Sequence, residues 1–222
     1  GKTSTSSPSP HEWENAFGDA DVVFCITITS SLSGTYNSAV IAKDIYEQNH
    51  TGRKVYVLDS LSTGPEIALF IEKIAELIKS GFAPDDIYKM LLEYKDKTHL
   101  YFSLASLNNF AKNGRISPVI AAGIGLLGVR VVGKASEEGT LLPLDKCRGE
   151  KRALKKLIEH LKECGYTDGK IIIAHNNNEA GALELKKLIE NAFGIFNGKI
   201  QKTRALCSYY AEPGSLLIGF EA

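Results

Sequence analysis

Hydrophobic positions fall in blocks whose period changes along the chain. Val22–Ile28 is a continuous apolar, β-rich run that predicts a buried strand. After the polar loop Thr29-Ser30-Ser31, a helical pattern runs from Tyr36 through Ala39, Val40 and Ala42 to about Asn49. Lys54–Leu58 predicts a second strand that ends on Asp59-Ser60. Ile67, Phe70, Ile71, Ile74, Leu77 and Ile78 share one helical stripe closed by Gly81, and Pro84 opens a further helix through Ile87, Met90, Leu91 and Tyr94. Leu100–Leu104 predicts a third strand. Alternating strands and helices predict a parallel sheet covered by helices, with ligands at the carboxyl ends of its strands. The Ser/Thr loop after Ile28 and the Asp59-Ser60 pair fall at those ends.

The pattern is different after residue 105. Ile116–Leu127 predicts an apolar helix with small residues at Ala121, Ala122, Gly123 and Gly125. Val129–Val132 and Thr140–Leu144 predict a hairpin around Glu138-Gly139. A long amphipathic helix from about Gly149 to Cys164 precedes strand Lys170–Ala174, helix Glu179–Phe193, and strands Lys199–Ala205 and Ser215–Phe220. The fold class is therefore α/β in two domains. Residues 1–105 are expected to form a parallel α/β sheet domain and residues 106–222 an α+β sandwich.

Composition narrows the function. The 26 basic and 26 acidic residues cancel, so no basic field exists to condense a polyanion, and nucleic acid is not an expected partner. The dense basic run from Lys146 to Lys156 reads as the solvated face of a helix. Cys25, Cys147, Cys164 and Cys207 are scattered, with no His at ligand spacing, which supports neither a metal site nor a cofactor and fits a reducing cytoplasm. No apolar run reaches transmembrane length, so stable membrane insertion is not expected.

The candidate chemistry is carried by hydroxyls. Thr3 to Pro10 has the Ser/Pro content of a disordered tail, yet a second hydroxyl cluster, Thr29, Ser30, Ser31, Ser33 and Thr35, follows a buried strand. Hydroxyls and N–H groups at a strand-to-helix turn make an uncharged anion cradle, and Gly34 lets backbone approach a ligand closely; a Ser there also serves as a simple helix cap. Arg115, after the Asn113-Gly114 turn, is either a surface residue or a bidentate partner for a carboxylate or phosphate. Of the five histidines only His175, at a strand end, is placed like a site residue. No catalytic triad and no nucleotide-binding glycine motif occurs.

Taken together, these segments resemble the DegV family, fatty-acid-binding proteins that include the binding subunits of bacterial fatty acid kinase. The resemblance spans essentially the whole chain. It is carried by Thr5-Ser6-Ser7-Pro8-Ser9-Pro10, by Leu32-Ser33-Gly34-Thr35-Tyr36 with its flanking Ser and Ala residues, by Asp59-Ser60, by Asn113-Gly114-Arg115-Ile116, by Lys146-Cys147-Arg148-Gly149 and by Glu212-Pro213-Gly214. It implies two α/β domains with a long-chain fatty acid in a tunnel between them. It also implies Thr5 and Ser33 on the carboxylate, and Ser6, Gly34, Thr35, Arg115 and Tyr210 as further ligand-binding residues. The implied protein binds and does not catalyse, and presents the carboxylate to a partner kinase that makes acyl phosphate. Burying the tail supplies the affinity, at ~0.8 kcal/mol per CH₂.

The chain departs from the family pattern at several points. Tyr210 stands where the family has His, Glu212 and Asn113 where it has Gly, and Arg130-Val131 where it has Lys-Pro. The family's opening strand and TDS-type turn are missing, so the first sheet is expected to lack a strand and the sequence to be incomplete. Two other readings stay open. One is a phosphoryl- or acyl-transfer enzyme using Ser33, which requires Asp59 or His175 within reach of Ser33. The other is a relative that binds a different small molecule.

Overall fold

In the computed structural model, the described residues are 3–116 and 128–222. The elements run in the order α1 (Pro10–Phe17), β1 (Val22–Thr27), α2 (Thr35–Asn49), β2 (Lys54–Asp59), α3 (Pro65–Lys79), α4 (Pro84–Lys95), β3 (Thr98–Leu104) and α5 (Asn108–Lys112). They continue with β4 (Val129–Ala135), β5 (Leu141–Arg148), α6 (Glu150–Glu163), β6 (Ile171–His175), α7 (Glu179–Phe193), β7 (Gly198–Lys202), α8 (Ala205–Ala211) and β8 (Leu216–Glu221). The apolar helix expected over Ile116–Leu127 lies almost wholly outside the described residues.

Two sheets are present among the described residues. β1 and β2 pair in parallel, and six strands follow the order β5-β4-β3-β8-β6-β7. Strand β3 corrects the sequence reading. It was expected in the first sheet, but it pairs antiparallel with β4 on one side and β8 on the other. Its partners at Leu216–Glu221 lie more than a hundred residues along the chain, beyond the reach of local pattern. The larger sheet is mixed, because β6 and β7 run parallel.

The layers follow from the alternation of side chains. On the small sheet, Cys25, Val55 and Val57 face α1 and α2, where Phe17, Ala39, Ala42 and Tyr46 cover them. Phe24, Ile26 and Leu58 face the other way, onto the stripe Leu69, Phe70, Ile74 and Leu77 of α3 and onto Ile87 and Leu91 of α4. Helix α3 also packs on β8 and β6 of the large sheet, with Ile172 in the same cluster. The far face of the large sheet carries α6 and α7, through Leu154, Leu157, Leu161, Leu185 and Ile189. The result is a five-layer α–β–α–β–α stack with α3 shared by both sheets.

Two local features were not expected from sequence. Residues 10–17, of which only Pro10 was read with the Ser/Pro tail, form α1. Ser9 caps it by accepting from the Glu12 N–H while Glu12 accepts from the Ser9 N–H at 2.7 Å, a reciprocal capping box. Residues 205–211 form α8, where the reading extended strand β7 to Ala205.

Helix α3 begins against β8. A Cβ on Gly219 would fall 2.5 Å from the Glu66 nitrogen, so only glycine admits the first turn of α3 this close to the sheet. Glu66 is consequently buried, its Oε1 accepting from the Thr98 hydroxyl at 2.8 Å. Burial raises its carboxyl above the ordinary value of 4.5, opposed in part by that hydrogen bond and by Lys95. The folded state therefore favours the protonated acid, and this contribution is lost as pH rises from 4.5 through the raised folded value. Glu66→Gln, which keeps an acceptor for Thr98, is expected to be more stable than the parent at neutral pH, with the difference vanishing toward about pH 4. Urea denaturation across this range tests it; a constant difference at every pH would refute it.

Candidate functional site

The gap between the two sheets is filled by α3 over most of its length and is open beyond the N-terminus of that helix. There a cavity of about 770 Å³ lies against the inner face of β3, β4 and β8. This is within the roughly 300–1,000 Å³ typical of small-molecule sites. Its apolar wall is formed by Ile26, Ile28, Leu100, Phe102, Leu104 and Leu217, with Ile67 from α3 and Phe110 from α5.

Every candidate ligand residue, Thr5, Ser6, Ser33, Gly34, Thr35, Arg115 and Tyr210, lines this cavity. They come from four separate places. Residues 3–8 form a strap with no regular secondary structure, of which Thr5 to Pro8 line the cavity. Thr5 Oγ1 and the Tyr210 hydroxyl on α8 are 2.7 Å apart, Thr3 Oγ1 and the Tyr209 hydroxyl 2.9 Å, and the Ser38 hydroxyl on α2 donates to the Pro8 carbonyl at 2.6 Å. Ser33 Oγ lies 2.7 Å from Thr35 Oγ1 and accepts from the Thr35 N–H at 3.3 Å. Gly34 is the N-cap of α2 without a side-chain cap, and the atom nearest to its missing Cβ is the Ser7 hydroxyl at 3.5 Å. Arg115 Nε donates to the Leu32 carbonyl at 3.2 Å and Nη1 to the Asn113 carbonyl at 2.6 Å, which fixes its guanidinium at the cavity wall.

The hydroxyl loop after β1 divides in two. The Thr29 hydroxyl donates to the Gly139 carbonyl at 2.8 Å, and the Ser31 hydroxyl donates to the Glu138 carbonyl. These two side chains clasp the tip of the β4–β5 hairpin; Thr29 also lines the cavity, as Ser33 and Thr35 do. Gly139 has φ +76°, and a Cβ there would run into Thr29 and Leu61. Asp59 is likewise structural. Its carboxylate accepts from the N–H groups of Ser30 and Leu61, both at 3.1 Å, tying the loops after β1 and β2 together and holding Leu61 at φ +51°.

The remaining sequence candidates fall elsewhere. His175 is buried away from the cavity, with Nδ1 accepting from the Asn178 N–H at 3.2 Å. Ser33 has no hydrogen bond to Asp59 or His175 among the described residues, so the base that the transfer-enzyme reading requires is not beside it. Glu212 does not turn toward the cavity hydroxyls; its Oε1 accepts from the Ser106 hydroxyl and the Asn109 N–H, both at 3.0 Å. Sequence reasoning missed Trp13, Phe110, Leu206 and Cys207, which also line the cavity. Only the capping box before Trp13 was a usable local signal. Burial pushes the Cys207 thiol up, which suits a wall residue better than a nucleophile.

Fold and site together define a two-sheet α/β protein with a mainly apolar cavity that hydroxyl side chains also line. The family model described as "Uncharacterised protein, DegV family" matches residues 1–222. A DegV domain-containing protein of Streptococcus pneumoniae strain R6 is 43% identical over 217 residues, covering 98% of this chain and 77% of the relative. The crystal structure of a DegV family protein from Eubacterium eligens loaded with heptadecanoic acid aligns with a TM-score of 0.98 at 42% identity, covering 100% of this chain and 80% of that one. The Streptococcus pneumoniae Fatty Acid Kinase (Fak) B3 protein loaded with linoleic acid aligns with a TM-score of 0.95 at 43% identity, covering 97% and 77%. The chain belongs to the DegV family.

The hairpin clasp makes a direct prediction. Thr29→Val keeps the side-chain volume but leaves the Gly139 carbonyl without its donor, and is expected to lower stability by about 1–3 kcal/mol. Urea unfolding of both proteins measures this; a difference below about 0.5 kcal/mol would show that the clasp does not hold the hairpin.

Proposed function

We propose that this protein holds a long-chain fatty acid in the cavity, with the carboxylate among the hydroxyls of Thr5, Ser33 and Tyr210, and presents that carboxylate to a partner kinase for acyl phosphate formation. The observation that carries the reading is a cavity lined by apolar side chains together with clustered hydroxyls, inside a fold whose relatives, at 42% and 43% identity, are loaded with heptadecanoic and linoleic acids. A carboxylate needs donors, and neutral hydroxyls supply them without a second buried charge to desolvate. Arg115 adds the positive charge at the Ser33 side. On this reading the ligand lies between residues 1–105 and 106–222, with β3 contributed to the second sheet. Among the described residues no helix is long and apolar enough to cross a membrane, and the four cysteines are unpaired, which suits a protein working in the cytoplasm. The protein is a carrier on this reading, since Ser33 is partnered by a hydroxyl and not by a base.

Denaturing extraction of purified protein followed by mass spectrometry tests the ligand class. A stoichiometric long-chain fatty acid is expected. A clean extract together with no uptake of added palmitate or oleate would refute the reading. Thr5→Ala and Ser33→Ala are each expected to weaken fatty-acid binding by about 1.5–3 kcal/mol, the value of a hydrogen bond to a charged group. Titration calorimetry on delipidated protein reads this, and unchanged affinity in both would remove the carboxylate from these hydroxyls.

A further inference from the structure

Phe102 occupies the centre of the cavity wall on β3. Its register partners are Gly133 on β4 and Leu217 on β8, so these three positions lie side by side on the inner face of the sheet. Phe102 and Leu217 both line the cavity. Gly133 presents no side chain, and its place is taken by the Phe102 ring. A Cβ built on Gly133 would lie 2.7 Å from both Cε2 and Cζ of that ring, and 2.5 Å from the Leu142 carbonyl oxygen. Gly133 is not among the glycines with positive φ, so backbone conformation does not require glycine here. An aromatic ring laid over a cross-strand glycine is a recognised way of covering the gap that the glycine leaves.

The position of the ring has a consequence for the cavity. Leu100 and Leu104 flank Phe102 on the same face of β3, and Leu217 stands beside it across the sheet. With sheet behind it and leucines around it, a ring displaced from Gly133 has one direction left, into the cavity. We infer that Gly133 is a specificity-determining residue: by giving the Phe102 ring a seat against the sheet, it sets the bore of the cavity and so the length and bend of the acyl chain admitted. This rests on the reading that the cavity holds a fatty acyl tail. Gly133 acts through Phe102 and not on the ligand, so the two residues form one device, and removing the ring removes the effect of the glycine.

A second demand on Gly133 is separable. The β4–β5 register shifts between Val132 and Gly133, and the Leu142 carbonyl approaches closely there, so a larger residue also strains the hairpin. The test therefore includes a variant that leaves the backbone of β4 untouched. Delipidated parent, Gly133→Ala, Phe102→Leu and the double variant are compared by competition binding with saturated acids of about twelve to about twenty carbons and with oleic and linoleic acids, each fold being checked by circular dichroism. In Gly133→Ala the affinity ratio of the longest and the bent chains to the shortest is expected to fall roughly tenfold, the scale of a methylene-sized change in an apolar pocket. Phe102→Leu is expected to shift the ratio the opposite way, and the double variant to follow Phe102→Leu. Ratios within about twofold of the parent in Phe102→Leu would overturn the inference even if Gly133→Ala did not fold. A parent that takes up none of the acids would instead overturn the fatty-acid reading, and this inference with it.

Discussion

Helix α3 keeps the two sheets apart, and the rest of the structure depends on that spacing. Its apolar stripe meets the small sheet on one side and β8 and β6 on the other, so the gap between the sheets is one helix wide, roughly 10 Å. Where the helix starts, over Gly219, the gap continues without it. The cavity is this unfilled continuation, walled by the end of β1, by the loop after β2, by the inner face of β3, β4 and β8, and by α5 and α8. A single glycine on β8 thus determines how near α3 comes to the large sheet, and the buried carboxyl of Glu66 is a consequence of that approach.

The site follows from the same arrangement. Loops at the carboxyl ends of parallel strands are free to carry side chains into a crevice. Here they share those side chains between two tasks. Ser31 and Asp59 hold loops and hairpin together, Ser33 and Thr35 line the cavity, and Thr29 does both. Tyr210 joins them from α8, with its hydroxyl 2.7 Å from Thr5 Oγ1.

Much of this was legible in the sequence where the cause is local. The apolar runs of β1 and β2, the stripe of α3 and the amphipathic α6 all carry their period in contiguous residues. Strand β3 shows only an apolar run, and nothing within it reveals that its neighbours are β4 and β8. Helix α8, with the sequence ALCSYYA, is too short to display a stripe, so Tyr210 was reached through a family motif and not through periodicity. Helix α1 announces itself by Ser9 and Glu12, but the Ser/Pro content before it pointed to disorder. Thr29 and Thr35 are chemically alike, and only the distant Gly139 separates their roles. Phe110, Leu206 and Cys207 enter the wall by tertiary placement alone.

The strap over residues 3–8 is built differently from the strands of the cavity wall. Its polar backbone groups are met by side chains, Tyr209 on the Thr3 carbonyl and Ser38 on the Pro8 carbonyl, and its hydroxyls by Tyr209 and Tyr210. A strand inside a sheet opens only when the ladder does, with a free energy close to that of global unfolding. The strap belongs to no ladder. Its contacts are separate, each worth about 0.5–1.5 kcal/mol, and they break one at a time. Sub-global opening of this boundary is therefore additive where that of the sheets is cooperative, and an amide protected by the strap exchanges on a scale set by α2 and α8 side chains and not by the core.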